Sequence, residues 1–283
     1  MLKRIVTGIV LLVCACLLII YQGWYLRIAL LIIAALSIYE MHTALAARGA
    51  KAVRWPAYLF VLLAFFQQAF GAQLWWLTDS PLLIAVILCV MGGILSIVFL
   101  GKADYDGLVA TLLPILYPGL FYAFLMRLQD LDGRAVPTMA LAMAVIVPSM
   151  NDMFALFIGK AVGKRKLCPE ISPNKTVAGS VAGIAASIAT TMIIPAVIWR
   201  IDIALNGAQG AILLAPYWVY AIFGLLLGII SQAGDLMASL IKRSCNIKDF
   251  GKLFPGHGGM LDRLDAILFG GVACYLFFML TGH

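Results

Sequence analysis

The sequence predicts an all-α polytopic integral membrane protein with about nine transmembrane helices, and three observations predict it. Only 12% of the 283 residues are charged while 64% are hydrophobic, against about 25% charged in a soluble domain, and the mean hydropathy is +1.03. The apolar residues gather into runs close to the about 20 residues that a helix needs to cross a bilayer. The lysines and arginines concentrate in alternate connections between those runs, as cytoplasmic loops do.

Taken in order, the candidate spans run from Ile5 to Tyr21, Ile28 to Ala46, Pro56 to Leu74, Pro81 to Leu100, Leu108 to Met126, Val136 to Ile158, Val177 to Trp199, Ala211 to Ser231 and Leu264 to Thr281. Lys3 and Arg4 before the first run resemble a signal peptide, but Cys14 and Ala15 make a poor cleavage site before Cys16, so the reading is an uncleaved first span. Placing the N-terminus and every second loop on one side gives that side 16 of the 20 cations. The N-terminus is therefore expected in the cytoplasm and the C-terminus outside. Pro114, Pro118, Pro148 and Pro195 interrupt spans, which predicts that these helices pack internally, where neighbours satisfy the freed carbonyls. The small-residue run Ala178 to Thr191 predicts a tightly packed seventh helix. No linker divides the chain, so it reads as one membrane-embedded domain, with an N-terminal five-span bundle over 1–130 and a C-terminal four-span catalytic part over 131–283.

Charge and cysteine content exclude other classes. A net charge of +7 and a pI near 9.2 suit nucleic-acid binding in principle. The cations sit in short loops between apolar runs, however, where membrane orientation explains them, and no groove-binding helix appears. The six cysteines form no paired spacing and read as reduced and structural, with neither zinc nor a disulfide framework indicated.

The chemistry is concentrated in Ser239 to Asp265, SLIKRSCNIKDFGKLFPGHGGMLDRLD. Phosphate handling needs cations for the oxygens, carboxylates for a divalent metal, and small residues that let backbone N–H groups approach. Lys242, Arg243, Lys248, Lys252 and Arg263 supply the first, Asp249, Asp262 and Asp265 the second, and Gly256, Gly258 and Gly259 around His257 the third. The cations alone are equally readable as a positive-inside anchor, but an anchor needs neither glycines nor acids. Asp235, Ser239 and Lys242 fall on one helical face at i, i+4 and i+7. Asp262 reads either as a helix N-terminal cap or as a metal ligand, and Asp265 the same with less reason. The other charged loop, Gly159 to Thr176, carries Ser172 and Lys175 after a turn expected at Ser172 to Asn174, with Asp152 two helical turns upstream. Glu40, His42, Asp152 and Asp235 are ionisable groups in or at the ends of spans, where burial is costly, and are therefore functional candidates. His42 reads as a buried, hydrogen-bonded residue.

These residues resemble the signature of the phosphatidate cytidylyltransferases, the CDP-diacylglycerol synthases. Ser239, Lys242–Arg243, Lys248–Asp249, Pro255 to Gly259, Asp262–Arg263 and Asp265 match it with every spacing intact. A second element agrees: Asp152, then Gly159, Lys160, Gly163 and Lys164, then SPNKT at Ser172 to Thr176 with Gly179. The N-terminal spans match only in hydropathy and in Glu40. The chain departs from the family pattern at Ala178 and Leu156.

The resemblance implies an enzyme that joins CTP and phosphatidic acid into CDP-diacylglycerol and pyrophosphate, requires Mg²⁺ with a second cation possible, and works in a cell membrane with its site facing the cytoplasm. It implies Asp235 and Asp262 as the metal pair, with Asp152, Asp249 and Lys175 as further catalytic candidates. Ser172, Ser239, Lys242, Arg243, Lys248, Gly256, His257, Gly258, Gly259 and Arg263 would bind substrate, and a homodimer is possible. His257 reads either as a donor to phosphate or as a loop-stabilising group. Two rivals stay open: a CTP-dependent transferase acting on another lipid phosphate, and an ion-coupled transporter using Asp152 and Asp235, which leaves PGHGG unexplained. No DG…AR run of a CDP-alcohol phosphotransferase occurs.

Overall fold

A computed structural model describes residues 13–70, 81–99, 104–133, 135–206, 215–254 and 258–282. Residues 13–21 are helical. Then follow α1 (Gly23–Ala47), α2 (Trp55–Phe70), α3 (Pro81–Phe99), α4 (Tyr105–Pro114), a π segment (Ile115–Leu120), α5 (Phe121–Arg127), α6 (Val136–Val162), β1 (Lys166–Cys168), β2 (Ser172–Thr176), α7 (Val177–Asn206), α8 (Tyr217–Ser244) and α9 (Leu261–Leu280). Among the described residues seven helical stretches are long and apolar enough to cross a membrane, and α2 is a shorter apolar helix. The chain is a helical multi-pass membrane protein. The first candidate span lies partly outside the described residues, as do the ends of the third and fourth.

Two compact units emerge: residues 1–127 with 242–264, and residues 128–241 with 265–283. In the first unit the core is built on Ile38, Met41, Phe60, Tyr117 and Tyr122, each at most 1% exposed. Ser37 Oγ pairs with the Tyr122 hydroxyl at 2.8 Å, and the Val53 N–H donates to Thr111 Oγ1 at 2.9 Å. The expected break in the fifth span is the π segment, which kinks at Tyr117 (φ −137°, ψ 116°) with Pro114 and Pro118 buried on either side.

In the second unit α6, α7 and α8 approach at backbone range, which requires small residues. A methyl group on Gly228 would lie 3.0 Å from Ser187 Cβ, and one on Gly224 2.7 Å from Ile188 Cα. Pro148 of α6 is buried and faces Gly270 of α9, where an added methyl would meet its Cγ at 2.9 Å. The expectation of internally packed proline helices and a close-packed seventh helix holds. One local expectation does not: Ser172 to Asn174 is strand, not turn. The turn is Pro169–Ile171, and β1 and β2 form an antiparallel hairpin pairing Cys168 with Ser172 and Lys166 with Thr176. The register shifts between those pairs, so Pro173, which has no N–H to donate, falls in the irregular stretch.

Candidate active site

Helix α8 carries Asp235, Ser239 and Lys242 and ends in a two-bond C-cap. The Asn246 N–H donates to Arg243 O at 3.0 Å and the Ile247 N–H to Lys242 O at 2.9 Å, with Asn246 left-handed at φ 54°. That pattern satisfies orphan carbonyls of the last turn and turns the chain sharply away. Helix α9 then starts at Leu261, three residues earlier than the hydropathy predicts, which puts Asp262 and Arg263 in its first turn.

Within the first unit, Asp262 organises the signature loop. Its side chain is 2% exposed. Oδ1 accepts from Lys242 Nζ at 2.8 Å, and Oδ2 from the backbone N–H groups of Phe250 at 2.7 Å and Gly259 at 3.0 Å. Lys242 also lies 5.4 Å from the centre of the Phe250 ring. The Phe254 N–H donates to Gly258 O at 2.9 Å; Pro255, Gly256 and His257 lie outside the described residues. Gly258 is left-handed at φ 82°, a conformation glycine adopts without strain, and a methyl there would touch Asp262 Oδ2 at 2.9 Å. Arg243, Lys248, Asp249, Lys252 and Arg263 are exposed around this loop and Ser239 is half-buried.

Glu40 is the residue the sequence pointed to without a role. It is 7% exposed on α1; Oε1 accepts the Met260 N–H and Oε2 the Leu261 N–H, both at 2.9 Å. It thus occupies two of the donors that open the N-terminus of α9. His42, 1% exposed on the same helix, faces the Tyr58 ring at 6.1 Å.

Within the second unit, Lys175 of β2 meets Asp235 of α8 at 2.5 Å, with the two side chains 21% and 25% exposed. Beside this pair lies a buried polar network absent from the sequence reading. Asn151 Nδ2 donates to Gly228 O at 2.8 Å and to Ser231 Oγ at 3.0 Å. Gln232 Nε2 donates to Asn151 Oδ1 at 2.8 Å and to Ser180 O at 3.0 Å, and the Ser180 hydroxyl donates to Gln232 Oε1. Asp152 follows Asn151 directly and is exposed, while Asp265 is buried and accepts the Ala266 N–H at 2.7 Å. Signals for the network were faint: a lone amide in each of two spans, with partners on a third. Ser172 is half-buried in β2.

The glycines of the second motif explain themselves as packing. Thr176 caps α7, accepting the Gly179 N–H at 3.2 Å. A methyl on Gly159 would meet Thr176 Oγ1 at 2.8 Å, on Gly163 Thr176 Cβ at 2.7 Å, and on Gly179 Gly159 Cα at 3.1 Å.

Among the described residues no three His, Cys, Asp or Glu side chains gather closely enough to hold a metal alone. Mg²⁺ ordinarily takes one or two carboxylates and fills its remaining positions with water and substrate phosphate. Hard oxygen donors such as Asp235, a quarter exposed, fit that role, whereas a closed protein cage does not form.

A helical multi-pass fold whose charged connections carry the Lys175–Asp235 and Lys242–Asp262 pairs defines a polytopic membrane protein with ion-paired polar loops. The chain belongs to the cytidylyltransferase family, whose model matches residues 2–281. It is 36% identical over 177 residues to the phosphatidate cytidylyltransferase of Bacillus subtilis, covering 62% of this chain and 60% of that protein. It is 37% identical over 164 residues to that of Brucella abortus, covering 56% and 55% respectively. A 29% identical match to the phosphatidate cytidylyltransferase of a Synechocystis strain extends over 98% of this chain and 96% of the relative.

Proposed function

We propose that this protein is a CTP:phosphatidate cytidylyltransferase. A phosphate oxygen of phosphatidic acid attacks the α-phosphorus of CTP; the new P–O bond forms as the bond to the β-phosphate oxygen breaks, and pyrophosphate leaves with the electron pair. Because the nucleophile is already an anion, the protein's work is to neutralise charge and align the groups rather than to remove a proton. The observation that carries this reading is the pairing of Lys175 with Asp235 and of Lys242 with Asp262 in a chain of this family. Each lysine is held partly buried beside a carboxylate, ready to meet phosphate as a point charge. Bound Mg²⁺, ligated by Asp235 and Asp262 with a second cation possible, would offset charge on the phosphates. Lys175 and Lys242, now paired with those carboxylates, would meet phosphate oxygens as point charges. Asp152 and Asp249 support the metal carboxylates. Ser172, Ser239, Arg243, Lys248, Arg263 and the backbone of Gly256 to Gly259 with His257 contact the substrates.

CTP is cytosolic, and the cation distribution along the sequence supports the same orientation, a site facing the cytoplasm in the inner membrane. A homodimer is the proposed assembly. Purified protein in nanodiscs with CTP, Mg²⁺ and phosphatidic acid is expected to release pyrophosphate and form CDP-diacylglycerol, and chelation of Mg²⁺ is expected to stop it. Release with an ether-linked lipid phosphate but not with phosphatidic acid would move the assignment to the neighbouring transferase; no release with either would overturn it.

A further inference from the structure

We propose that Glu40 is a positioning residue of the transfer site, holding the 251–261 loop, and with it Asp262, in working geometry. The inference rests on the cytidylyltransferase reading for its kinetic arm alone. A carboxylate in the apolar helix α1 is costly to keep, and here both of its oxygens are committed to backbone N–H groups of Met260 and Leu261, 220 and 221 positions away. A helix N-terminus is usually capped by a residue of its own turn. Asp262 already does part of this, reaching back to the Gly259 N–H, so an ordinary cap does not account for a second, distant carboxylate.

The loop is also moulded on it from two sides. A methyl on Gly251 would fall 2.7 Å from Glu40 Cδ, and one on Gly259 2.6 Å from it. Gly259 thus packs on Glu40 while donating to Asp262, and Leu261, which donates to Glu40, immediately precedes Asp262. A displaced Glu40 contact therefore displaces the carboxylate borne by the next residue, Asp262. Glu40 acts through these groups, its two oxygens being taken by the Met260 and Leu261 N–H groups.

The test combines turnover, amide hydrogen exchange and a mutant cycle on the full-length protein in nanodiscs. Glu40→Ala is expected to lower kcat about 10²-fold, the scale of a misplacement near 1 Å, with KM for CTP and for phosphatidic acid within about threefold. Glu40→Gln, which retains one acceptor oxygen but sets an NH₂ against a backbone N–H, is expected between the two. Exchange should accelerate at 250–262 and not in the other helices. Gly259→Ala should cost turnover and Tm in the parent, and little further in Glu40→Ala, where the space is open.

Unchanged kcat in Glu40→Ala would overturn the proposal. So would acceleration of exchange across the whole chain, or an equal Gly259→Ala penalty in both backgrounds. If the parent itself releases no pyrophosphate, the reaction assignment falls, and the hold of Glu40 on the loop is decided by the exchange pattern and the Tm cycle.

Discussion

Asp235 and Asp262 carry the same sequence expectation but stand in different surroundings, and the difference separates activity from stability. Asp262 accepts three hydrogen bonds with its side chain 2% exposed; Asp262→Asn leaves Lys242 without its counter-charge and sets an NH₂ against a donor. Breaking a buried pair of this kind costs about 3 kcal/mol. Asp235 shares its charge with Lys175 while both remain over a fifth exposed, where solvent screening reduces the stability of a pair to about 1 kcal/mol or less. Both substitutions are expected to abolish cytidylyl transfer. Only Asp262→Asn should lower Tm substantially, as thermal unfolding in detergent will show; wild-type turnover in either variant would remove that residue from the metal assignment.

At the scale of elements, the helices were legible because hydropathy reports them directly, and α8 was read as continuing beyond the apolar run, as it does to Ser244. Helix α9 begins three residues before the apolar span, with Asp262 in its first turn, where the sequence places a helix N-terminus; what no local pattern signals is Glu40, an acceptor 220 positions from Met260 that meets the donors there. The β1–β2 hairpin was missed because Pro173 and its polar neighbours lack strand alternation; pairing across five residues and the Thr176 cap, not propensity, define it. The network of Asn151, Gln232, Ser231 and Ser180 was invisible for a related reason: its groups are spread over three helices, and only their packing brings them together. Gly183 seals that network, since a methyl there would lie 2.8 Å from Asn151 O and 3.1 Å from Gln232 Nε2. Gly183→Ala is therefore expected to destabilise the protein by about 1–3 kcal/mol through overpacking. Ala182→Gly on the same helix, which adds no volume, should cost about 1 kcal/mol or less. Comparing their Tm values checks whether the polar seam, rather than helix propensity, sets the cost.

Across the whole molecule, the distribution of cations predicts orientation, and orientation decides whether the proposed substrates can meet. Sixteen of the 20 lysines and arginines fall in the connections that the nine-span reading groups with both signature loops, an asymmetry expected of cytoplasmic connections. CTP is a polyanion that does not cross a bilayer unaided, so the Ser239–Asp265 loop and the β1–β2 hairpin must both face the cytosol for the reaction to run. Glu170, exposed in the hairpin turn, and Asp132, exposed before α6, flank the same helix and are expected on opposite sides. In a cysteine-free background, an impermeant maleimide should label Asp132→Cys in intact spheroplasts and Glu170→Cys only in inverted vesicles. A reporter fused after His283 should likewise be active outside the cytoplasm. Labelling of Glu170→Cys from outside would invert the topology, and with it remove the nucleotide's access to the Lys175–Asp235 pair.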